Sequence, residues 1–464
     1  MTTEASSPGP LAVPSGVERL KEQRAWYWYD WANSGYVTTV ATVLFAPYLT
    51  SVAETAACGS AGTDDVPCRT DLSLLGLAIA PGSLVFYVIT LATVCSALVL
   101  PVVGAMADRS SRKKHIMAGF AWTGSLAAAC MFFVQDGNWA LGAGLLFVTA
   151  ISLGASLVVY NAILCQIALP DERDRVSSRG WALGYLGGGL LLAVNLGVVT
   201  MHDSLGLDQG TAVRISLATA GIWWAAFTII PFRGLRNRPA VNTEPATGGV
   251  VRQSFGQLWT TLRDMRAYPM TLLFLVAYLF YNDGIQTVIV SASTYGEKEL
   301  GFETSVLIAT ILLVQFVAFT GALLFGRIAR TQGSKKTIIG GLTVWMAVVV
   351  IAYFLPDGRL LPFLAMAVLI GIVLGGTQAL SRSLFSQLVP RGREAEYFSL
   401  YEATERGTSW LGTLVFGLVF QLTDSYRPAI VALIVFFAVG LGVLWRVDTR
   451  RGIAEAGNQA PAVV

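Results

Sequence analysis

Six ionisable side chains stand inside stretches that are otherwise long and apolar: Asp30, Asp283, Arg382, Glu402, Glu405 and Arg406. Asp283 lies fifteen residues after Tyr268 and twelve before Tyr295, near the middle of its apolar run. A carboxylate at that depth in a bilayer costs roughly 2.5 kcal/mol or more, so such groups face a cavity, pair, or exchange protons. Gln286 follows one turn later on the same helical face. Arg382 lies eight residues before Pro390, ~12 Å along a helix at 1.5 Å per residue. Arginine keeps its charge when buried and therefore needs an anionic or carbonyl partner. A clamp for a substrate carboxylate and a salt bridge across the molecule, to Asp283 for one, are both readings of it. Glu402 and Arg406 are spaced to pair along one helix, which leaves Glu405 as a structural or proton-carrying acid. Asp30 and Asn33 share a face near one end of their run. Tyr160, Asn161, Tyr281, Asn282 and Gln378 add polar groups that line a pathway or join helices by hydrogen bonds.

The elements that must position these groups follow from composition. The chain has 464 residues, 54% hydrophobic and 13% charged, with mean hydropathy +0.60. A soluble domain carries roughly twice that charge, so the polar residues cannot cover a water-soluble surface. Twelve apolar runs are each long enough to span a bilayer: 26–52, 81–107, 115–134, 139–169, 178–201, 212–232, 268–295, 304–328, 337–355, 361–389, 397–422 and 428–445. Lipid demands that backbone groups bond internally, so these are helices. The predicted fold is an all-α polytopic membrane protein of twelve transmembrane helices in two six-helix bundles.

Of 32 Lys and Arg, 25 fall on the side of the two termini and 5 on the other. The positive-inside rule makes the termini cytoplasmic. The expected organisation is a flexible cytoplasmic tail over 1–25, a bundle over 26–232, a cytoplasmic linker over 233–267, a second bundle over 268–446 and a cytoplasmic tail over 447–464. The first 25 residues lack the apolar core of a cleavable signal. Trp26, Tyr27, Trp28, Tyr29 and Trp31 fit an aromatic belt at the inner interface. Cys58 and Cys68 share the longest outer loop, where a disulfide is expected. The excess of Arg over Lys suits a GC-rich bacterial source and so a plasma membrane.

The chain also repeats itself. Gly104-x-x-x-Asp108-Arg109-x-Ser111-Arg112-Lys113-Lys114 follows the second span, and Gly326-x-x-x-Arg330-x-x-Gly333-x-Lys335-Lys336 follows the eighth, offset by 222 residues. Leu169-Pro170 and Val389-Pro390, and Gly187 and Gly407, are offset by 220. A duplicated six-helix unit is the reading, with a solute site between the halves near the midplane.

The segment 104–114 resembles the loop signature of the major facilitator superfamily, with Ser111 where the family prefers Gly. Tyr29-Asp30-Trp31-Ala32-Asn33-Ser34, the run 177–189 and Tyr281-Asn282-Asp283-Gly284 resemble the vacuole-effluxer branch. That branch includes autophagy-related vacuolar amino-acid exporters of fungi and their bacterial relatives. The resemblance implies secondary transport by alternating access. It also implies a latch at the inner mouth: Gly104, Asp108, Arg109, Arg112 and Lys113, with Asp108 facing the start of span 11 and Arg112 pairing with Asp171, Glu172 or Asp174.

The expected cargo is an amino acid or small zwitterion, with Arg382 for its carboxylate and Asp283 for its ammonium. The resemblance further implies export or proton-linked exchange. A drug or hydrophobic-cation pump of the same fold is the alternative, and a receptor or scaffold a third reading. Two histidines and no phosphate loop or metal-ligand spacing leave no enzyme, metal, cofactor or nucleic-acid role. The lipid bilayer and a small solute are the expected partners of a monomer.

Overall fold

The computed structural model describes residues 16–60, 62, 68–74, 77–241, 263–407 and 409–464. Eleven helical stretches among these are long and apolar enough to cross a membrane. The first is α1 (Gly16–Tyr36), continued through a π-helical stretch (Val37–Leu44) into α2 (Phe45–Cys58). The wider winding matches a hydroxyl bond from Thr42 to the Val37 carbonyl five residues back. There follow α3 (Leu84–Asp108), α4 (Lys113–Cys130), α5 (Trp139–Ile167), α6 (Arg173–Thr200) and α7 (Gln209–Gly234). The last six spans begin with α8 (Pro269–Thr294), α9 (Thr304–Gln332), α10 (Ser334–Tyr353) and α11 (Leu360–Leu388). The next crossing comprises α12 (Glu394–Gly407) and α13 (Ser409–Thr423), with residue 408 between them outside the described residues. The last consists of α14 (Tyr426–Ala432) and α15 (Ile434–Arg446), followed by a short α16 (Thr449–Glu455).

Large apolar side chains such as Phe86, Tyr87, Leu361 and Leu422 point outward. Such a surface suits lipid, not water. Helix packing relies on small residues. A Cβ on Gly375 of α11 would collide with the Ala318 carbonyl of α9, and one on Gly321 with the Ile372 carbonyl. Bare glycine is therefore required where these two backbones touch.

The loop between α2 and α3 carries a small hairpin, β1 (Leu72–Leu74) and β2 (Leu77–Ile79), with Leu72 opposite Ile79. A Cys58–Cys68 disulfide closes the loop ahead of it. On the same side, exposed Asp208 caps α7. Hydrogen bonds from Thr211 hold its carboxyl below the usual carboxylate range.

Residues 16–25 and 447–464 lie on the opposite, basic face, and both differ from plain tails. Residues 16–25 belong to α1. Gln23 donates to the Ile167 carbonyl (2.9 Å), and Glu22 pairs with Arg238 beyond α7. Residues 447–464 fold back under α8 and α11. Asn458 donates to the Gln387 and Val389 carbonyls, and the Ala462 amide donates to Asp171. Both segments are held by specific side-chain bonds that composition does not reveal. Of the expected linker, 242–262 lies outside the described residues.

The first six and last six spans meet through α3 and α5 against α12, and α6 against α9 and α11. Among the described residues, the hydrogen bonds that cross this seam run from the level of Arg382 down to the basic face. The molecule is thus closed on that face. Gly375→Leu should force α9 and α11 apart, costing about 1–3 kcal/mol and lowering Tm in detergent. Gly340→Leu, where nothing lies within 4 Å, should leave Tm unchanged. Equal Tm values for both would contradict this packing.

Candidate functional site

Arg382 projects from α11 into the seam and is 2% exposed. All five of its N–H groups have acceptors. Nε donates to Ser177 Oγ (2.9 Å). Nη1 donates to Asp30 Oδ1 (3.2 Å) and Asn161 Oδ1 (3.4 Å). Nη2 donates to Asp30 Oδ2 (2.9 Å) and the Ser177 carbonyl (3.0 Å). Every acceptor comes from the first six spans. The fork-to-fork pairing with Asp30 matches the planar guanidinium to the planar carboxylate. Trp26, Trp181 and Tyr160 surround the guanidinium with ring centroids 4.8, 5.3 and 5.5 Å from Cζ. Gly180 makes room: a Cβ there would meet Trp26 and Arg382 and collide with Asp30.

The polar chain continues through Asn161, which donates to Glu402 Oε1 (2.8 Å), while Arg406 Nε donates to Glu402 Oε2 (3.4 Å). The charges alternate along it, from Asp30 through Arg382 and Glu402 to Arg406. A second network joins α8, α11 and α12. The Tyr278 hydroxyl lies 3.1 Å from Glu405 Oε2, Gln378 donates to Asn282 (3.0 Å), and Asn282 donates to the Glu405 carbonyl (3.3 Å). Tyr281 and Ser381 share a hydroxyl bond of 2.6 Å. Glu405, without a partner in the sequence reading, thus has Tyr278.

Asp283 and Arg382 form no ion pair with each other among the described residues, Arg382 being paired with Asp30. Asp283 Oδ2 accepts the Gly412 amide of α13 (2.9 Å). Asp283 Oδ1 and Thr287 Oγ1 are buried without a hydrogen-bond partner among the described residues. Gln286 is half-buried and makes no hydrogen bond among the described residues. Asn33 turns back on its own helix, donating to the Tyr29 carbonyl (2.6 Å).

At the basic face, Asp108 closes α3 and points at the N-terminus of α12. Its oxygens accept the amides of Ala395 (3.0 Å) and Glu396 (2.9 Å) and the Lys113 ammonium (2.8 Å). Free amides and the helix dipole both favour an anion there. Gly104 permits the approach: a Cβ would lie 2.5 Å from the Ala395 carbonyl oxygen. Lys113 also faces Glu394 at 3.8 Å. Arg109 and Arg112 form no ion pair among the described residues. The acids expected for Arg112 are engaged elsewhere: Glu172 with Arg19 and Arg175, Asp174 with Ser334 and Ser383, and Asp171 with the Ala462 amide. Helix α4 begins at Lys113, and this phase turns Lys113 inward and Arg112 outward.

The second copy of the motif is built in reverse. Gly326 packs on Ser178 near the start of α6, as Gly104 packs on α12. Arg330 is exposed. The carboxylate is supplied from across the seam by Asp174, which accepts the hydroxyls of Ser334 (2.7 Å) and Ser383 (2.5 Å). Trp26, Arg173, Ser177 and Trp181 were not read from sequence as site residues. Arg173 donates to the Ser386 carbonyl across the seam at 2.6 Å. The available signal was Ser177 and Trp181 one helical turn apart in the glycine-rich run.

The fold matches solved transporters. The proton:xylose symporter XylE superposes with TM-score 0.70 at 12% identity, covering 95% of this chain and 98% of that one. A bacterial homologue of the iron transporter ferroportin gives 0.66 at 12% identity, covering 93% and 100%. At these identities the likeness establishes the fold. In sequence, the chain is 29% identical over 445 residues to the uncharacterized MFS-type transporter YxiO of Bacillus subtilis, covering 95% of this chain and 98% of the relative. It is 26% identical to autophagy-related protein 22-2 of Emericella nidulans, covering 82% and 80%. The model of the family described as vacuole effluxer Atg22 like matches residues 18–457. This chain is therefore an integral multi-pass membrane transporter of the major facilitator type, and it belongs to the Atg22-like vacuole effluxer family.

Proposed function

We propose that this transporter carries an amino acid or a similar small zwitterion by alternating access, the two six-helix bundles rocking about their shared seam. The observation that carries this reading is the buried Asp30–Arg382 pair. Removing one partner from a buried ion pair costs roughly 3–5 kcal/mol. When the halves part, Arg382 keeps its charge and Asp30 loses its cation. A zwitterion answers both needs at once: its carboxylate replaces Asp30 at Arg382, and its ammonium replaces Arg382. A plain anion or cation answers only one. Bound cargo thus lowers the cost of parting the halves on the basic face, and the Asp30–Arg382 pair limits how far the empty molecule rests open there.

The basic face is the cytoplasmic one on the positive-inside rule, in a plasma membrane. Export follows the sense of the family description, vacuole effluxer. Proton coupling falls to Asp283, whose unpartnered oxygen lies deep in α8 and which is free of the gating pair. The working unit is one chain, since both halves of the seam come from it. The aromatic rings around Asp30 also favour a second reading, efflux of a hydrophobic cation.

Reconstituted in liposomes with a pH gradient, the protein should move one or more amino acids. Arg382→Gln should reduce that flux at least about 100-fold, the factor for a loss of ~3 kcal/mol. Cation flux that survives Arg382→Gln but not Asp30→Asn would overturn the zwitterion reading in favour of the second. Asp283→Asn should leave exchange of cargo intact and remove its response to the pH gradient. An unchanged response would remove Asp283 from coupling.

The latch has its own test. Cys165 lies in the seam with its thiol against the Ser386 carbonyl. In a background of Cys95→Ser and Cys130→Ser, Asp108→Ala should speed maleimide labelling of Cys165 about tenfold. Charge-assisted hydrogen bonds are worth about 1.5–3 kcal/mol. An unchanged rate would mean that Asp108 does not hold the basic face closed.

A further inference from the structure

We propose that Trp26, Asp30, Tyr160 and Trp181 form a binding cage for an organic ammonium or guanidinium group, and that Arg382 fills this cage in the closed state as a built-in stand-in. The inference deepens the alternating-access reading and rests on it: the cage is vacated only when the halves part.

The walls and the occupant come from different halves. Trp26 and Asp30 are on α1, Tyr160 on α5 and Trp181 on α6, whereas Arg382 is on α11. Any motion that separates the halves here withdraws the guanidinium and leaves the walls in place. The walls hold one another without it. Trp26 stacks on Tyr160 at 4.2 Å and 11°, and its Nε1 donates to the Tyr160 carbonyl (3.0 Å). Tyr29 supports Tyr160 from behind at 4.8 Å, and Trp181 leans on Tyr185 at 5.6 Å. The cage is thus preorganised.

Its chemistry selects a cation. Ring faces attract positive charge through their quadrupoles, more strongly where water is excluded. Asp30 supplies a full negative charge at one edge, and Ser177 adds a hydroxyl and a carbonyl. One lining group is not consumed by Arg382: Trp181 Nε1 is buried with no hydrogen-bond partner among the described residues. It is placed to meet the polar remainder of a ligand whose cationic head lies among the rings. Three aromatic faces around one carboxylate fit a bulky, weakly hydrated head such as a guanidinium or a methylated ammonium better than a small inorganic ion. The vacated cage then gives the cargo's ammonium end its own seat, and Arg382 and the cargo compete for it.

The test uses purified full-length Arg382→Ala, with thermal stability read in methylguanidinium chloride, tetramethylammonium chloride or sodium chloride at equal ionic strength. At roughly 10–100 mM, the range for a small cation held by such contacts, the two organic cations should raise the Tm of Arg382→Ala and sodium should not. The wild-type protein, its cage already filled, should not respond. Adding Asp30→Asn or Trp26→Leu should abolish the rescue. Absence of rescue, or rescue that persists without Asp30, would overturn the proposal.

Should Arg382→Ala fail to fold, the arm uses Asp108→Ala with Cys165 as the only free thiol. There the organic cations should speed maleimide labelling by holding the seam open, and no change would overturn the proposal. Both readouts are independent of flux. Failure of amino-acid transport with rescue intact would sink the zwitterion reading and spare the cage, and the converse would sink only the cage.

Discussion

A guanidinium in the interior of a membrane protein cannot shed its charge, and the structure is arranged around that fact. Arg382 has five donors, and the first six spans supply five acceptors and three aromatic faces. None of these partners belongs to its own half. The group that is most costly to leave unsatisfied is therefore satisfied only when the halves are together at this level. Glycine at 180 follows from it, since any side chain there would displace Asp30 or Arg382. So does the placement of Asn161, which passes the polar contact on to Glu402.

Below that pair, the latches on the basic face act on the same seam by different means. The first uses a carboxylate on a helix end against the amides of α12, with Gly104 allowing backbone contact. The second keeps the glycine contact but takes its carboxylate from Asp174 on the opposite half, bonded to Ser334 and Ser383. Arg330, which breaks the motif in sequence, is left exposed. The two copies of the motif share the glycine contact between the halves, while their carboxylates stand on opposite sides of the seam.

The fold was legible because lipid imposes a coarse rule: long apolar runs become spans, and basic residues gather on one side. Residues buried at a cost, Arg382 and Asp283, were legible for the same reason. Their partners were not. Asp30 and Arg382 are 352 positions apart, and only the packing of α1, α6 and α11 brings them together, whereas Glu402 and Arg406 were readable as one turn of a helix. Trp26 looked like an interfacial aromatic, since hydropathy does not tell a ring facing headgroups from one facing a seam. It is fully buried. Arg112 lies outside and Lys113 meets Asp108 because the first residue of α4 sets which of them turns inward.

If the Asp30–Arg382 pair holds the basic side of the seam shut, its loss must let the two halves separate there. Spin labels at Ser111→Cys and Thr331→Cys, both exposed and on opposite halves, with the free cysteines Cys95, Cys130 and Cys165 replaced by serine, report that separation by pulsed electron resonance. A single short distance is expected with Arg382 intact, and a second, longer population once Arg382 is replaced by glutamine. The same single distance in both proteins would contradict the account.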